Sequence, residues 1–201
     1  GLTPTDQSIR LAREATQRAL AFDPDLASAH DVLGWIAMSY DVDLSMSAKH
    51  LADALALEPT NPDTLVDAGL LFRRLGRLDE SIAIGEYQVG LDPINPNGHE
   101  MLGATYRYAG RLDDAIAEFR TILALSPNYV AGHAILGEVL LDKGDAKSAL
   151  AEMQQEALDG LRLVGLSMAH HALGQKTESD AALAEVVERY AENYATSIAY
   201  A

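Results

Sequence analysis

Apolar residues recur at steps of three and four along most of the chain, the spacing of one face of an α-helix. In residues 63–75 they fall at Leu65, Ala68 and Phe72, and residues 78–91 repeat the pattern after a Gly-Arg turn. Asp-Pro follows the second segment, and proline ends a helix because it has no backbone N–H to donate. No segment alternates with period two for long enough to form a strand. The pattern predicts an all-α protein.

The helical segments recur with a fixed period. Pro24, Pro59, Pro93 and Pro127 stand 35, 34 and 34 residues apart and close the similar phrases AFDP, ALEP, GLDP and ALSP. The same register aligns three further columns, which are Leu33-Gly34, Ala68-Gly69, Leu102-Gly103 and Leu136-Gly137; Gly76, Gly110 and Gly144; and the small residues Ala12, Ser47, Ser81, Ala115 and Ala149. A period in the thirties indicates a repeat protein built from stacked supersecondary units.

These columns resemble the tetratricopeptide repeat, with Leu-Gly in the first helix, Gly at the turn, a small residue in the second helix and Pro at the close. The copies span residues 27–61 (with one extra residue in the turn), 62–95, 96–129 and 130–159. A degenerate copy at 160–193 follows at a spacing of 30 residues, with Leu166-Ser167 where Leu-Gly is expected. The resemblance implies a right-handed α-solenoid of stacked antiparallel helix pairs, forming a single array over residues 1–201.

Both ends of the array look incomplete. Residues 5–26 read as the second helix of a truncated repeat, and residues 194–201 as the start of a further helix. Since the units of a repeat array bury their faces only against neighbours, we interpret the chain as part of a longer array. Its phrases are also similar to the repeat regions of bacterial signalling proteins that carry a nucleotide-cyclase, winged-helix or kinase domain.

Composition restricts the partners. The 15 Lys and Arg against 30 Asp and Glu give a net charge of −15, which disfavours nucleic acid as a partner because phosphates are repelled. There are no cysteines, no apolar run long enough to span a membrane and no signal-peptide pattern at the start. We therefore expect no membrane span and a cytoplasmic location.

The histidines raise the question of a metal site. His30, His99 and His133 occupy one column of successive repeats, where Leu65 stands in the second copy. A column that recurs once per repeat is typical of packing inside each helix pair, and we interpret it so. The adjacent His170-His171 point about 100° apart on a helix and cannot bind one ion together.

Other catalytic and metal motifs fail on spacing. His99-Glu100 begins like a zinc-protease helix, but Gly103 stands where the second histidine is needed. Asp41 and Asp43 begin like a calcium loop, but it lacks the required glycine and the bidentate glutamate, so we interpret it as an elongated turn. With no phosphate-binding loop and no nucleophile motif, we predict no enzyme activity, no cofactor and no metal.

The resemblance implies that one stripe of each first helix faces a concave groove. The residues placed there are Asp31, Trp35, Met38, Asp63, Val66, Leu70, Arg73, Arg74, Asn97, Glu100, Arg107, Tyr108, Glu138, Leu141, Met168 and His171. Aromatic residues, Met and Arg often anchor protein partners, although Trp35 can also be explained by packing against a neighbouring repeat. The Lys and Asn residues with which some of these domains clamp a chaperone-tail carboxylate are missing, since the matching positions hold Asp31, Trp35, Val66, Leu70, Glu100 and Ala104.

The sequence thus predicts a non-catalytic protein–protein interaction scaffold that binds a peptide or helical segment in this groove. The acidic residues favour a basic or amphipathic segment, while Arg73, Arg74 and Arg107 offer a place for one acidic residue. Two alternatives stay open. One is a regulatory or sensor region of a larger signalling protein, such as a nucleotide cyclase or transcriptional regulator. The other is a structural module that forms homo-oligomers through its truncated ends.

Overall fold

The computed structural model describes residues 4–199, with side chains described for residues 6–190. Helices occupy most of this part of the chain, and none of it forms a strand. The helices are α1 (Pro4–Phe22), α2 (Ala27–Ser39), α3 (Leu44–Leu57), α4 (Pro62–Arg74), α5 (Leu78–Leu91), α6 (Pro96–Tyr108), α7 (Leu112–Leu125), α8 (Gly132–Asp142), α9 (Ala146–Met153), α10 (Asp159–Ala172) and α11 (Lys176–Ala199). The all-α prediction is confirmed.

The helices form two compact units. In unit 1, residues 1–105, α2 packs on α3 and α4 on α5, while α1 packs on α2 and α3 on α4. In unit 2, residues 106–201, α8 packs on α7, α9 and α10, and α10 also packs on α9 and α11. Helix α6 contributes its residues through Thr105 to unit 1. Each unit therefore consists of successive helices packed against their neighbours, the arrangement of an α-helical repeat fold.

Glycine forms the turn inside most helix pairs. Gly76, Gly110, Gly144 and Gly174 have φ between 72° and 85°, the left-handed region that only glycine adopts without strain. In the turn after α4, the backbone N–H of Arg77 donates to the carbonyl of Phe72, and its guanidinium lies 4.6 Å from the centre of the Phe72 ring. The turn-glycine column seen in the sequence thus has a conformational cause.

The small-residue columns mark places where paired helices approach closely. A Cβ on Gly137 would lie 2.7 Å from Met153 Cε of α9, so a side chain there would displace the fully buried methionine. Ser81 is fully buried, and its hydroxyl donates to the carbonyl of Gly69 at 2.8 Å. The hydroxyl of Ser179 donates in the same way to the carbonyl of Ser167 at 2.9 Å. Each of these serines therefore bonds to the carbonyl 12 residues earlier, in the preceding helix.

The elongated turn between α2 and α3 has a structural explanation. The carboxylate of Asp43 accepts from the backbone N–H of Met46 at 2.9 Å and caps α3. The carboxylate of Asp41 accepts two hydrogen bonds from the guanidinium of Arg13 in α1, at 2.8 and 2.9 Å. Val42, between them, has φ of 55°, a conformation that glycine provides in the other turns. Both aspartates therefore serve the turn and its attachment to α1.

The short spacing of the last copy also has a visible cause. Helix α9 has 8 residues, whereas α3, α5 and α7 have 14 each. The chain leaves α9 at Gln154, and the side chain of Glu156, only 3% exposed, accepts from the backbone N–H groups of Ala134 and Leu158. Glu156 thus joins the start of α8 to the start of α10.

At its C-terminal end the chain differs from expectation. Helix α11 continues without a break through Ala199, so a separate helix does not begin at residue 194. Residues 200 and 201 lie outside the described part of the chain. No helix among the described residues is sufficiently long and apolar to cross a membrane.

Candidate functional site

An open pocket of about 600 Å³ lies in unit 1, on one face of α2, α4 and the unit 1 part of α6. These are the first helices of three successive helix pairs, and residues three or four apart on each present side chains to the same side. The lining residues are Asp31, Val32, Trp35, Asp63, Val66, Asp67, Leu70, Arg73, Asn97, Glu100, Met101 and Ala104. Predicted groove residues thus meet here from all three helices, while the sequence analysis did not select Asp67.

Three aspartates crowd one side of this pocket. Burial raises the pKa of Asp31 above its ordinary value, a hydrogen bond from Thr64 opposes the rise, and the Asp63 carboxylate adds to it. Burial likewise raises the pKa of Asp67, to about 7, with further contributions from Asp31 and Asp63. Asp31 Oδ1 is buried and has no hydrogen-bond partner among the described residues. The cluster therefore holds negative charge that the part of the chain described here does not fully compensate.

The only tryptophan of the chain borders the acidic cluster. Trp35 is 37% exposed, and its ring packs against that of Tyr40 in a T-shaped arrangement, with centroids 5.4 Å apart. Val66 and Leu70 of α4 are half-buried in the same pocket. An apolar surface and a set of carboxylates thus lie next to each other, an arrangement suited to a side chain with an apolar stem and a positive end.

Two predicted groove residues of unit 1 have structural roles instead. Met38 is fully buried and forms a core cluster with Leu51 and Leu71. The reason is that the last turn of α2 is covered by α3 and α4. Arg74 donates from its guanidinium to the carbonyl of Met38 at 2.7 Å, which satisfies a carbonyl at the end of α2. Neither residue lines the pocket.

Two predicted residues of unit 2, Arg107 and Glu138, form a charged cluster with Asp142. The guanidinium of Arg107 donates to Glu138 at 2.8 Å and to Asp142 at 2.6 Å, so its charge is already paired with α8. Arg107 is one of the three arginines, with Arg73 and Arg74, for which we expected an acidic residue of a partner, and its guanidinium is occupied by this pairing. Tyr108 is 70% exposed beside Arg107 and Asp142. Elsewhere in unit 2, Leu141 is half-buried, and Met168 and His171 are exposed.

The histidine column makes two kinds of contact, either with the turn before its own helix or with the second helix of its pair. The Nε2 atoms of His30 and His99 lie 3.0 Å from the carbonyl oxygens of Pro24 and Pro93. Since a carbonyl only accepts, both rings carry a proton on Nε2. His133 differs, because its Nδ1 lies 2.8 Å from Glu152 Oε2. His30 and His99 therefore stabilise the proline-containing turns that precede their own helices, α2 and α6.

His30 also takes part in a cluster that the sequence analysis missed. Its Nδ1 lies 3.2 Å from Nδ1 of His50 and 3.7 Å from a carboxylate oxygen of Asp53, both on α3. Burial lowers the pKa of His50, the charge of His30 and that of Lys49 add to this, and Asp53 opposes it. The residues are 20 and 23 positions from His30, and their meeting depends on how α2 packs against α3. The spacing of three between His50 and Asp53 was the available signal.

Comparison with known proteins agrees with this geometry. The tetratricopeptide-repeat family model matches residues 100–161. No curated protein sequence matches the chain. The family-model match falls in the part of the chain where the sequence columns resemble the repeat most clearly.

Solved structures extend the similarity of fold to most of the chain. PilW, described as a widely conserved type IV pilus biogenesis factor, matches with a TM-score of 0.82 at 20% identity, over 92% of this chain and 88% of that one. Pseudomonas aeruginosa pilF matches with a TM-score of 0.74 at 17% identity, over 92% and 86%. YrrB, described as a repeat protein of this kind with an unusual peptide-binding site, matches with a TM-score of 0.60 at 17% identity, over 85% and 86%. Because the sequence identities are 17–20%, the similarity to these structures shows a common fold alone.

Proposed function

We propose that this tetratricopeptide-repeat chain is a non-catalytic scaffold and that the pocket of unit 1 binds a protein segment with a basic side chain beside an apolar one. One observation carries the proposal, namely the convergence of Asp31, Asp63 and Asp67 beside the exposed face of Trp35. An open groove along stacked helices is the surface that repeat proteins use for partners.

The charge of the cluster favours a cation. Burial, and after it the neighbouring carboxylates of Asp31 and Asp63, raise the pKa of Asp67 to about 7, so a cation beside it would stabilise its charged form. A lysine or arginine of a partner would supply the compensating charge beside Asp31, Asp63 and Asp67. Its aliphatic stem would pack on Val66 and Trp35, whose ring also attracts cations. The resulting preference is for an amphipathic basic segment.

The solved neighbours give limited support. The description of YrrB names a peptide-binding site, and that of PilW names a type IV pilus biogenesis factor. These statements concern those two proteins. For this chain they support a binding role for the fold and leave its partner to be found by experiment.

The single tryptophan gives a direct assay, because fluorescence of Trp35 reports on the pocket. We expect a peptide that alternates Lys and Leu to change this fluorescence saturably, and a peptide of the same length that alternates Glu and Leu to leave it unchanged. Replacing Asp67 by Asn should weaken binding about tenfold, because it removes a partly buried charge partner.

The matched control is Asp79→Asn, which removes the same charge from an exposed position of α5 outside the pocket. This variant should bind the Lys-Leu peptide as the wild type does. Equal binding of both peptides, or equal loss in both variants, would show that general charge and not the pocket determines the interaction.

A further inference from the structure

We propose that His30, His50 and Asp53 form a binding site for a divalent transition-metal ion, with Zn²⁺ as the ion that fits best. The site lies between α2 and α3 of unit 1 and uses no residue that lines the peptide pocket. It does not depend on the proposed scaffold function.

The distances match a tetrahedral zinc ion. With Zn–N and Zn–O bonds of about 2.0–2.2 Å, two ligand atoms at a tetrahedral angle stand about 3.3 Å apart. The two Nδ1 atoms are 3.2 Å apart, and Asp53 Oδ2 lies 3.7 Å from His30 Nδ1. The three potential ligand atoms all lie within 4.8 Å of one another. Small side-chain rotations therefore complete a three-ligand site, and water can take the fourth position.

The surroundings orient the ligands as metal sites require. His30 donates its Nε2–H to the carbonyl of Pro24 at 3.0 Å, which leaves the lone pair of Nδ1 directed at His50. A histidine ligand usually makes such a bond to a backbone carbonyl through its second nitrogen. His50 and Asp53 are three residues apart, so they share one face of α3. The ligand set is thus held by two helices and one turn.

In the metal-free protein a proton occupies the place of the ion. Because His30 Nδ1 accepts, His50 must donate from Nδ1, and the distance of 3.2 Å suits this hydrogen bond. When Zn²⁺ binds to both Nδ1 atoms, the proton of His50 moves to its own Nε2. The ring stays neutral, and no net proton is released by this step. The change of tautomer is a signature that general attraction of cations to an acidic protein does not produce.

Titration of tag-free protein with ZnCl₂ by isothermal calorimetry tests the site. We expect one ion per chain, and in ¹⁵N NMR a shift of the His50 proton from Nδ1 to Nε2. His50→Gln keeps a side-chain donor for His30 but removes a ligand, so it should weaken Zn²⁺ binding at least about 100-fold. Removing a residue that only hydrogen-bonds to a metal ligand already lowers metal affinity about 10–100-fold. Asp53→Asn at a half-exposed position should weaken it about tenfold or more.

The control variant is His171→Gln, which removes an exposed histidine of unit 2 and should leave Zn²⁺ affinity unchanged. Circular dichroism should show that every variant keeps the helical content of the wild type. Absence of a one-to-one binding event would overturn the proposal. So would equal affinities of the wild type and His50→Gln, because the ion would then sit on surface carboxylates.

Discussion

Glu156 gives the most direct test of how the irregular fourth repeat is held together. Its carboxylate, in a side chain only 3% exposed, accepts from the backbone N–H of Ala134 at 3.0 Å and from that of Leu158 at 2.9 Å. Ala134 lies in the first turn of α8, and Leu158 is the residue that precedes α10. One side chain therefore satisfies donors at the starts of two helices.

The expected cost of Glu156→Ala follows from these two bonds. Leaving a buried donor unsatisfied costs about 1–3 kcal/mol, so the buried N–H of Ala134 and the partly buried N–H of Leu158 together cost at most about 2–6 kcal/mol. Removing the buried carboxylate also removes its desolvation penalty, which places the expected loss in the lower half of that range, about 2–4 kcal/mol. Glu156→Gln should lose about half as much, because its amide oxygen can accept only one of the two bonds while its NH₂ group faces the other donor.

Urea denaturation followed by far-ultraviolet circular dichroism measures this loss, and native-state hydrogen exchange locates it. The amides of Ala134 and Leu158 should lose protection in Glu156→Ala before amides elsewhere in unit 2. Gln154→Ala, at an exposed position two residues earlier, is the control and should change stability by less than about 0.5 kcal/mol. If Glu156→Ala stays within about 0.5 kcal/mol of the wild type with protection unchanged, the carboxylate does not join the two helices as argued.

Three further changes test other parts of the molecule. Because the pKa of Asp67 is raised from 3.8 to about 7, ionising this side chain destabilises the folded state. The loss of stability grows as the pH rises from 3.8 to about 7. Asp67→Asn should therefore stabilise the chain by about 1–2 kcal/mol at pH 8 and by little at pH 4, as measured by thermal unfolding; an equal effect at both pH values would contradict the assignment. Arg107→Ala should lower the free energy of unfolding in urea by about 1–2 kcal/mol, because it leaves Glu138 and Asp142 unpaired. The loss should be smaller in high salt, which screens ion pairs; a loss that does not change with salt would indicate that Arg107 acts through packing. Gly144→Ala places a side chain at φ of 85° and should cost about 1–2 kcal/mol, whereas an unchanged urea midpoint would mean that the turn adjusts freely.

Much of the fold could be predicted because repetition makes local signals reinforce one another. The turn glycines of positive φ, the close approach at Gly137 and the buried hydroxyl of Ser81 each correspond to a column of the sequence. The short α9 was harder to foresee. Its early end depends on Glu156, and an isolated glutamate gives no sign of being buried.

The candidate pocket was predicted in part. Stripes of residues on first helices led to Asp31, Trp35 and Asp63, which do line it together. Asp67 was missed because the prediction took only one stripe of α4, which includes Val66. The next residue, Asp67, lies beside that stripe and still reaches the pocket. Met38 was included because it continues the same stripe, and only packing by α3 and α4 reveals that the end of α2 is covered.

By itself, the sequence determined the all-α class, the helical repeat and the excess of negative charge, because these depend on residue types and on spacings within one repeat. The tertiary structure alone decided which charges are paired and which polar side chains meet. Arg107 is neutralised by residues 31 and 35 positions away, and His30 meets His50 across a helix interface. Such encounters depend on the rotation and depth of each helix against its neighbour, which are determined by the packing of all the side chains between them.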